Sequence, residues 1–340
     1  TGKLQLRTSI MPEISAITLE IFGDLRKLYR TRNECYVATC SSTGVMEGAI
    51  RNLVKKKVLC TVCGSFSELE YKVATKNGKA AEAYVVPSGH EIDPDEVDRR
   101  LSTGAFDAIT VVHSETSTGV LNDIDAIAKV VRKYDNVMLI VDVVSSLGGA
   151  PVDVDAWGAD LAFAGTQKCL AMPPGLCTFA ISERAFRRAE SISDRGHYFD
   201  FLSYRKMGEK GQIPATTAIS LLLGLHMQLK RILAETLEGR WARHAAMAQE
   251  VRSRVGEYFP LFPKSKAMTP SESVFANDRN ISVSALVDAV KKKGKLFGNG
   301  YGDLKEKTLR IGHMGDIRIE HVHRFLQLFF DAMRELGHAK

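Results

Sequence analysis

Two polar side chains stand at the ends of short apolar runs. Asp142 follows the run 137–141, whose residues Val-Met-Leu-Ile-Val show no polar alternation, as in a strand that is covered on both faces. Lys168 follows the run 161–164 and precedes a Met-Pro-Pro-Gly turn at 172–175. Open α/β sheets bind ligands at the carboxyl ends of their parallel strands. The pattern therefore predicts a ligand site with a carboxylate and an amine, unless Asp142 only caps a turn and Lys168 lies in a surface loop.

A third segment, Cys-Ser-Ser-Thr-Gly at 40–44, places small residues before a predicted helix that carries Met46, Ile50 and Val54 on one face. The free N–H groups and the positive dipole end of a helix N-terminus favour a phosphate group. The same residue types are common helix caps, so this segment taken alone fits both interpretations.

The three segments together supply what pyridoxal phosphate requires. A lysine that is removed from water can condense with the aldehyde of this cofactor to form a Schiff base. A carboxylate beside the pyridine nitrogen keeps a proton there, and the protonated ring withdraws electrons more strongly. A helix N-terminus binds the phosphate. We therefore predict a pyridoxal-phosphate site in which Lys168 and Asp142 are catalytic.

A regular alternation of predicted strands and helices positions these residues. Such alternation indicates an α/β fold, with a mainly parallel sheet and helices on both faces. The seven predicted strands are 36–39, 58–62, 82–86, 108–113, 137–141, 161–164 and 177–181. Beyond Pro214 the predicted elements are helices at 216–234, 240–258, 285–293 and 320–336, with short strands near 280–284 and 309–312. We predict a large domain over 1–236 and a smaller C-terminal α+β domain over 237–340.

The composition excludes several classes of protein. Hydrophobic residues make up 45% and charged residues 25% of the 340, which is typical of a globular chain and not of a disordered one. No apolar run approaches the ~20 residues of a membrane span. The net charge is +6, but the lysine runs at 55–57 and 291–293 lack the interleaved aromatic residues of a surface that stacks bases. We predict neither a membrane nor a nucleic-acid partner.

Six cysteines raise the question of a metal site or disulfides. The Cys-x-x-Cys pair at 60–63 has no second pair at zinc-binding spacing, and it ends a predicted strand instead of opening a helix. We expect reduced, mostly buried thiols, no metal, and a cytoplasmic location.

Six segments closely resemble the class V pyridoxal-phosphate-dependent aminotransferases, and the alanine–glyoxylate and serine–pyruvate group in particular. They are 113–120, 142–149, 153–160, 165–168, 173–175 and 310–315. Lys168 lies 26 positions after Asp142, and the resemblance covers nearly the whole chain. It implies the fold-type-I architecture, a homodimer with its active site at the subunit interface, and ping-pong transfer of an amino group. The implied substrates are alanine or serine, and glyoxylate or pyruvate.

The resemblance also implies roles for individual residues. Lys168 is the Schiff-base lysine and proton shuttle, and Asp142 is the partner of the pyridinium. Ser117 and Gln167 hydrogen-bond the cofactor, and Phe66 stacks on its ring. The remaining implied contacts are Ser42 and Thr43 to the phosphate, Thr216 to the phosphate from a neighbouring subunit, and Arg310 to the substrate α-carboxylate.

Two departures from the family pattern affect the phosphate site. Cys40 and Ser42 stand where the family's phosphate loop usually carries glycine, which predicts a tighter loop. Ile213 stands where the family has a hydroxyl-bearing residue that reaches the phosphate of the neighbouring subunit, which leaves Thr216 or backbone N–H groups to supply that contact.

Three other functions are compatible with the same fold. An aminotransferase for phosphoserine or 2-aminoethylphosphonate shares most of these motifs. A cysteine-desulfurase-like lyase usually has a histidine where this chain has Gln167, and Cys169, in a constrained turn, is a poor candidate for its reactive cysteine. A subunit that binds the cofactor without turnover is the third.

Overall fold

The computed structural model describes residues 12–339. Residues 1–11 and Lys340, which belong to the ends of the two predicted domains, lie outside the described residues. The strands are β1 Glu34–Ala38, β2 Lys57–Val62, β3 Ala80–Val85, β4 Ala108–Val112, β5 Ser114–Glu115, β6 Val120–Leu121, β7 Met138–Asp142, β8 Leu161–Gly165, β9 Cys177–Ile181, β10 Glu272–Ala276, β11 Gly298–Asn299 and β12 Thr308–Gly312.

The helices connect these strands and cover the sheet. They are α1 Pro12–Tyr29, α2 Ser42–Leu53, α3 Ser65–Lys76, α4 Pro94–Leu101, α5 Ile124–Val131, α6 Val154–Trp157, α7 Glu183–Glu190, α8 Phe201–Gly208, α9 Ile219–Glu235, α10 Leu237–Gly256, α11 Val283–Lys292 and α12 Ile319–Glu335. A short 3₁₀ helix spans Gly302–Leu304. Of these elements, the sequence did not predict α1, α6, α7, α8, β5, β6, β10, β11 or the 3₁₀ helix.

Seven strands form the central sheet in the order β1-β9-β8-β7-β4-β2-β3. Strand β9 runs antiparallel to its neighbours β1 and β8, and the other neighbouring pairs are parallel. Every residue of β4, β7, β8 and β9 is buried, because helices cover both faces of the sheet. The predicted mainly parallel sheet of seven strands is confirmed.

The smaller sheet lies in the C-terminal part of the chain, in the order β10-β12-β11, and all its pairs are antiparallel. The predicted strand at 280–284 is wrong. That segment leads into α11, where the Ser282 hydroxyl accepts a hydrogen bond from the N–H of Ala285 and caps the helix. The strand in this region is instead β10. Because β10 contains a serine and a glutamate, its apolar pattern was too weak to predict a buried strand.

The hydrophobic side chains of residues 12–339 form two separate cores. The first lies around the central sheet and includes Leu237. The second is formed by α10, β10, α11, β12 and α12, with Met247, Phe275, Leu309 and Phe329 among its fully buried members. Helix α9 ends at Glu235 and α10 begins at Leu237, next to the predicted domain boundary at 236–237, which stays a prediction.

The described residues, 12–339, contain no helix that is both long and apolar enough to cross a membrane. All six cysteines are free, and all but Cys40 are buried. Burial raises the pKa of the Cys60 and Cys63 thiols to about 12, so both are protonated near neutral pH.

Candidate active site

One pocket at the carboxyl ends of β7 and β8 brings together most of the predicted site residues. Six of them line it: Ser42, Thr43, Phe66, Asp142, Gln167 and Lys168. They come from four segments of the chain that converge because parallel strands present their carboxyl ends at one edge of the sheet. The pocket therefore holds the carboxylate, the amine and the helix N-terminus that the sequence predicted.

Asp142 is the last residue of β7 and is 6% exposed. Its Oδ1 accepts a hydrogen bond from the backbone N–H of Val144 at 2.7 Å. Burial raises the pKa of Asp142 to about 7, although the Val144 N–H and the charge of Lys168 oppose this shift. A buried carboxylate of this kind gains most from a ligand that brings its own positive N–H, and a protonated pyridine ring is such a ligand.

Lys168 lies in the turn between β8 and β9, with its Nζ 5.8 Å from the centre of the Phe66 ring. The Thr166 hydroxyl fastens this turn by donating to the Pro173 carbonyl at 2.9 Å. The guanidinium of Arg240 fastens it a second time, donating to the Cys169 carbonyl at 2.7 Å. The amine is thus held on a rigid turn, as the Pro-Pro-Gly sequence predicted.

The N-terminus of α2 forms the polar end of the pocket. Its cap residue, Ser41, makes no capping hydrogen bond with its side chain, so the first N–H groups of the helix lack a side-chain cap. The hydroxyls of Ser42 and Thr116 both have no hydrogen-bond partner within the described chain, although both are buried. Since buried polar groups are rarely left unpaired, these hydroxyls and N–H groups fit an anionic ligand such as a phosphate.

Glycine 165 keeps this region open. A Cβ at Gly165 would lie 2.4 Å from Ser42 Oγ and 2.5 Å from Gln167 Oε1. The strand end therefore allows the Ser42 hydroxyl and the Gln167 amide to approach each other across the pocket. On these observations, the residues present fit pyridoxal phosphate.

Glu115 holds two of the loops around the pocket together. Its Oε2 accepts hydrogen bonds from the backbone N–H groups of Phe66 at 3.2 Å and Ser67 at 2.9 Å. Its Oε1 accepts from the N–H of Ser117 at 3.1 Å and from the Ser117 hydroxyl at 2.6 Å. The Ser117 hydroxyl also accepts from the N–H of Ser65 at 2.9 Å, so in this structure it joins the two loops.

Phe66 lines the pocket, and its ring stacks on Tyr301, with centres 5.4 Å apart and planes inclined by 25°. Its predicted stacking on a cofactor ring and the predicted cofactor contact of Ser117 stay predictions. Glu115 and Thr116 were not predicted from the sequence, although both lie within 113–120, one of the segments that resemble the family. The available sequence signal was a glutamate within a run of small polar residues. Only the fold shows the hydrogen-bond partners of that glutamate.

Arg310 and Thr216 lie outside the pocket lining. Arg310 is on β12, and its Nη1 donates to the backbone carbonyl of the pocket residue Thr116 at 3.4 Å, so it stands just beyond the pocket wall. Thr216 is exposed before α9, and a contact with a phosphate would have to be made to a second subunit. Ile213 is 5% exposed and belongs to the hydrophobic core around the central sheet, which accounts for its apolar side chain.

A buried acid lies near Asp142. Glu70 on α3 is fully buried, and neither of its carboxyl oxygens has a hydrogen-bond partner within the described chain. Burial, and then the charge of Asp142, raise the pKa of Glu70 well above its ordinary value of 4.5. The folded protein therefore binds a proton at Glu70 that the unfolded chain releases above about pH 4.5, so stability contributed at this site falls as the pH rises.

Replacing Glu70 by glutamine should remove this pH dependence. We expect the free energy of unfolding of Glu70→Gln to exceed that of the wild type by about 1–3 kcal/mol at pH 8, with little difference at pH 5. Urea unfolding at the two pH values measures the change. Glu68→Gln, at an exposed position of the same helix, is the control and should change neither value by more than about 0.5 kcal/mol. An equal effect of Glu70→Gln at both pH values would contradict a titrating Glu70.

Comparison with known proteins agrees with this fold and pocket. Residues 31–271 match the model of the family Aminotransferase class-V. An uncharacterized aminotransferase of Methanocaldococcus jannaschii is 35% identical, with 92% of this chain and 83% of the relative covered. The serine–glyoxylate aminotransferase of Methylorubrum extorquens is 29% identical over 90% of this chain and 80% of its own. The L-aspartate–glyoxylate aminotransferase of Paracoccus denitrificans is 31% identical over 87% and 77%.

A solved structure agrees over nearly the whole chain. The alanine–glyoxylate aminotransferase of Nostoc superposes with a TM-score of 0.91 and 26% identity, covering 97% of this chain and 90% of that one. The fold is thus that of the fold-type-I pyridoxal-phosphate enzymes, as predicted. The chain belongs to the class-V aminotransferase family, and it is a pyridoxal-phosphate-dependent transaminase.

Proposed function

We propose that this enzyme transfers an amino group from alanine or serine to glyoxylate or pyruvate by a ping-pong mechanism. The observation that carries the proposal is the single pocket in which Lys168, Asp142 and the N-terminus of α2 meet. Relatives named for serine–glyoxylate and alanine–glyoxylate transfer support the choice of a small amino acid and a small 2-oxo acid.

The chain's own residues divide the work as follows. When bound, pyridoxal phosphate supplies a ring that withdraws electrons from the α-carbon of the substrate. Lys168 Nζ would hold the cofactor, and as a free amine it would take the proton from the substrate α-carbon as a general base. The carboxylate of Asp142 would keep the pyridine nitrogen protonated. Ser42 and Thr43 would hold the phosphate, and Arg310 would bind the α-carboxylate with its planar guanidinium.

A cysteine-desulfurase-like lyase is less well supported. Such chemistry needs a reactive thiolate, and the candidate adjacent to Lys168 in the sequence is Cys169. Burial raises the pKa of Cys169 to about 11, and its Sγ donates to the carbonyl of Ser145 at 3.3 Å. A protonated thiol, fixed inside a turn, is not placed for attack on a sulfur-bearing substrate.

A half-reaction without an acceptor tests the proposed function. The holoenzyme mixed with alanine or serine alone should release about one equivalent of the corresponding 2-oxo acid per chain, because the amino group stays on the cofactor. Addition of glyoxylate should then return the enzyme to its starting absorbance. Release of no 2-oxo acid from any donor would indicate a non-catalytic subunit, and sulfide released from cysteine would indicate the lyase.

We further propose a cytoplasmic homodimer with the active site at the subunit interface. The free, mostly buried cysteines suit a reducing compartment. The exposed Thr216 is available to a second subunit, as the family resemblance implies. Analytical ultracentrifugation should give twice the mass of the chain, and a monomer that retains full activity would contradict the shared site.

A further inference from the structure

Glu272 is a buried acid beside the arginine that we assign to the substrate carboxylate. Its side chain is 9% exposed, and its Oε1 lies 3.6 Å from Nη1 of Arg310. Two hydrogen bonds also hold this guanidinium: its Nε donates to the Asn299 carbonyl at 3.0 Å, and its Nη1 to the Thr116 carbonyl at 3.4 Å. Part of the positive charge of Arg310 is thus already matched by a fixed negative group of the protein.

The register of the small sheet determines which way Glu272 faces. Glu272 lies opposite Gly312, and Val274 lies opposite Arg310, so Glu272 and Arg310 are diagonal neighbours on one face of the β10–β12 pair. On that face, the Arg310 guanidinium donates to the carbonyl of Thr116, which lines the pocket of Lys168 and Asp142. The Glu272 carboxylate therefore lies on the side of the sheet that faces this pocket.

The electrostatic environment agrees with this position. Burial raises the pKa of Glu272, whereas the charges of Arg310 and then Lys168 act in the opposite direction. Arg310, which we assign to the substrate, and Lys168, which we assign to the cofactor, thus both act to lower the pKa of Glu272. The site therefore contains a carboxylate of the protein, Glu272, in addition to the carboxylate that a substrate would bring to Arg310.

We propose that Glu272 is a specificity determinant that admits amino donors with one carboxylate and disfavours donors with a second anionic group. This inference rests on the proposed function, since it concerns the donors of that reaction. Alanine and serine bring only the α-carboxylate, for which Arg310 has donors left. Aspartate or phosphoserine would bring a second negative group into the same pocket, where Glu272 already matches part of the charge of Arg310 and little water screens the repulsion.

The test compares donors in a variant that removes the charge and keeps the shape. Glu272→Gln should raise kcat/KM for aspartate and for phosphoserine, relative to alanine, by about tenfold or more. The ratio is the informative quantity, because any change in the hold of Arg310 on the α-carboxylate affects all three donors alike. Glu272→Asp, which keeps the charge, should leave the wild-type preference in place. Glu335→Gln, which removes a carboxylate with 60% of its side chain exposed, is the matched control and should do the same.

A binding measurement separates this inference from the proposed function. Acetate and succinate have no amino group to transfer, and titration calorimetry of the holoenzyme gives their affinities without turnover. Glu272→Gln should strengthen succinate binding about tenfold more than acetate binding. If no amino donor reacts but succinate gains this advantage, the proposed function fails and the role of Glu272 stands. Equal use of aspartate and alanine by the wild type, or an unchanged ratio in Glu272→Gln, would overturn it.

Discussion

Replacing Lys168 by alanine is expected to lower the rate of amino transfer by about 10³–10⁴-fold, because the general base that takes the α-proton is lost. The fold should survive, since Lys168 is only half-buried and the turn around it is held by Thr166 and Arg240. The effect should appear in kcat with both alanine and serine as donors.

The covalent role of Lys168 can be measured apart from the rate. After borohydride reduction, the wild-type protein should carry the cofactor on the peptide that contains Lys168, and Lys168→Ala should carry none. Lys55→Ala, at an exposed position far along the chain, is the control and should match the wild type in both measurements. A Lys168→Ala protein that still fixes the cofactor covalently would show that another lysine is the attachment site.

The second large effect is on stability, at Arg240. Its side chain is among the largest fully buried ones of residues 12–339, and its Nη2 donates to the Cys169 carbonyl at 2.7 Å. Its Nη1 contacts Glu235 at 2.8 Å and Asp316 at 3.1 Å. Arg240 thereby joins the turn of Lys168 to the end of α9 and to the loop before α12.

Arg240→Ala should lower the free energy of unfolding by about 3–5 kcal/mol, since it leaves buried or partly buried acceptors without their cation and opens a cavity. Urea unfolding followed by tryptophan fluorescence measures the loss. Arg231→Ala is the matched control, because Arg231 also faces Asp316, but at 4.0 Å and with 72% of its side chain exposed. It should cost no more than about 0.5 kcal/mol. If Arg240→Ala lowers the free energy of unfolding no more than Arg231→Ala does, Arg240 contributes only as a surface ion pair.

Sequence reasoning was most successful where local pattern and the rule of strand ends coincide. Asp142 and Lys168 could be predicted because each follows an unbroken apolar run, and such a run is a strand covered on both faces. The helix at 42–53 followed from its apolar spacing. These features depend on neighbouring residues only.

The residues that escaped prediction depend on contacts between distant segments. Glu272 is notable because of its contact with Arg310. It lies on β10, a strand that was predicted instead at 280–284. In the sequence, Arg240 looks like an ordinary polar residue of a helix. Only the fold shows its hydrogen bond to the Cys169 carbonyl. Glu70 has no neighbour in the sequence that indicates its burial near Asp142, which follows only from the packing of α3 on the sheet.

The bonds that Glu115 accepts from Phe66, Ser67 and Ser117 have a kinetic consequence. These bonds join protein groups to one another, so the conformational entropy of ordering these two loops is lost during folding and not during cofactor binding. Association with pyridoxal phosphate should accordingly begin with a single second-order phase whose rate rises in proportion to cofactor concentration. In Glu115→Ala the same loops would have to become ordered at the moment of binding, and that rate should level off at high concentration.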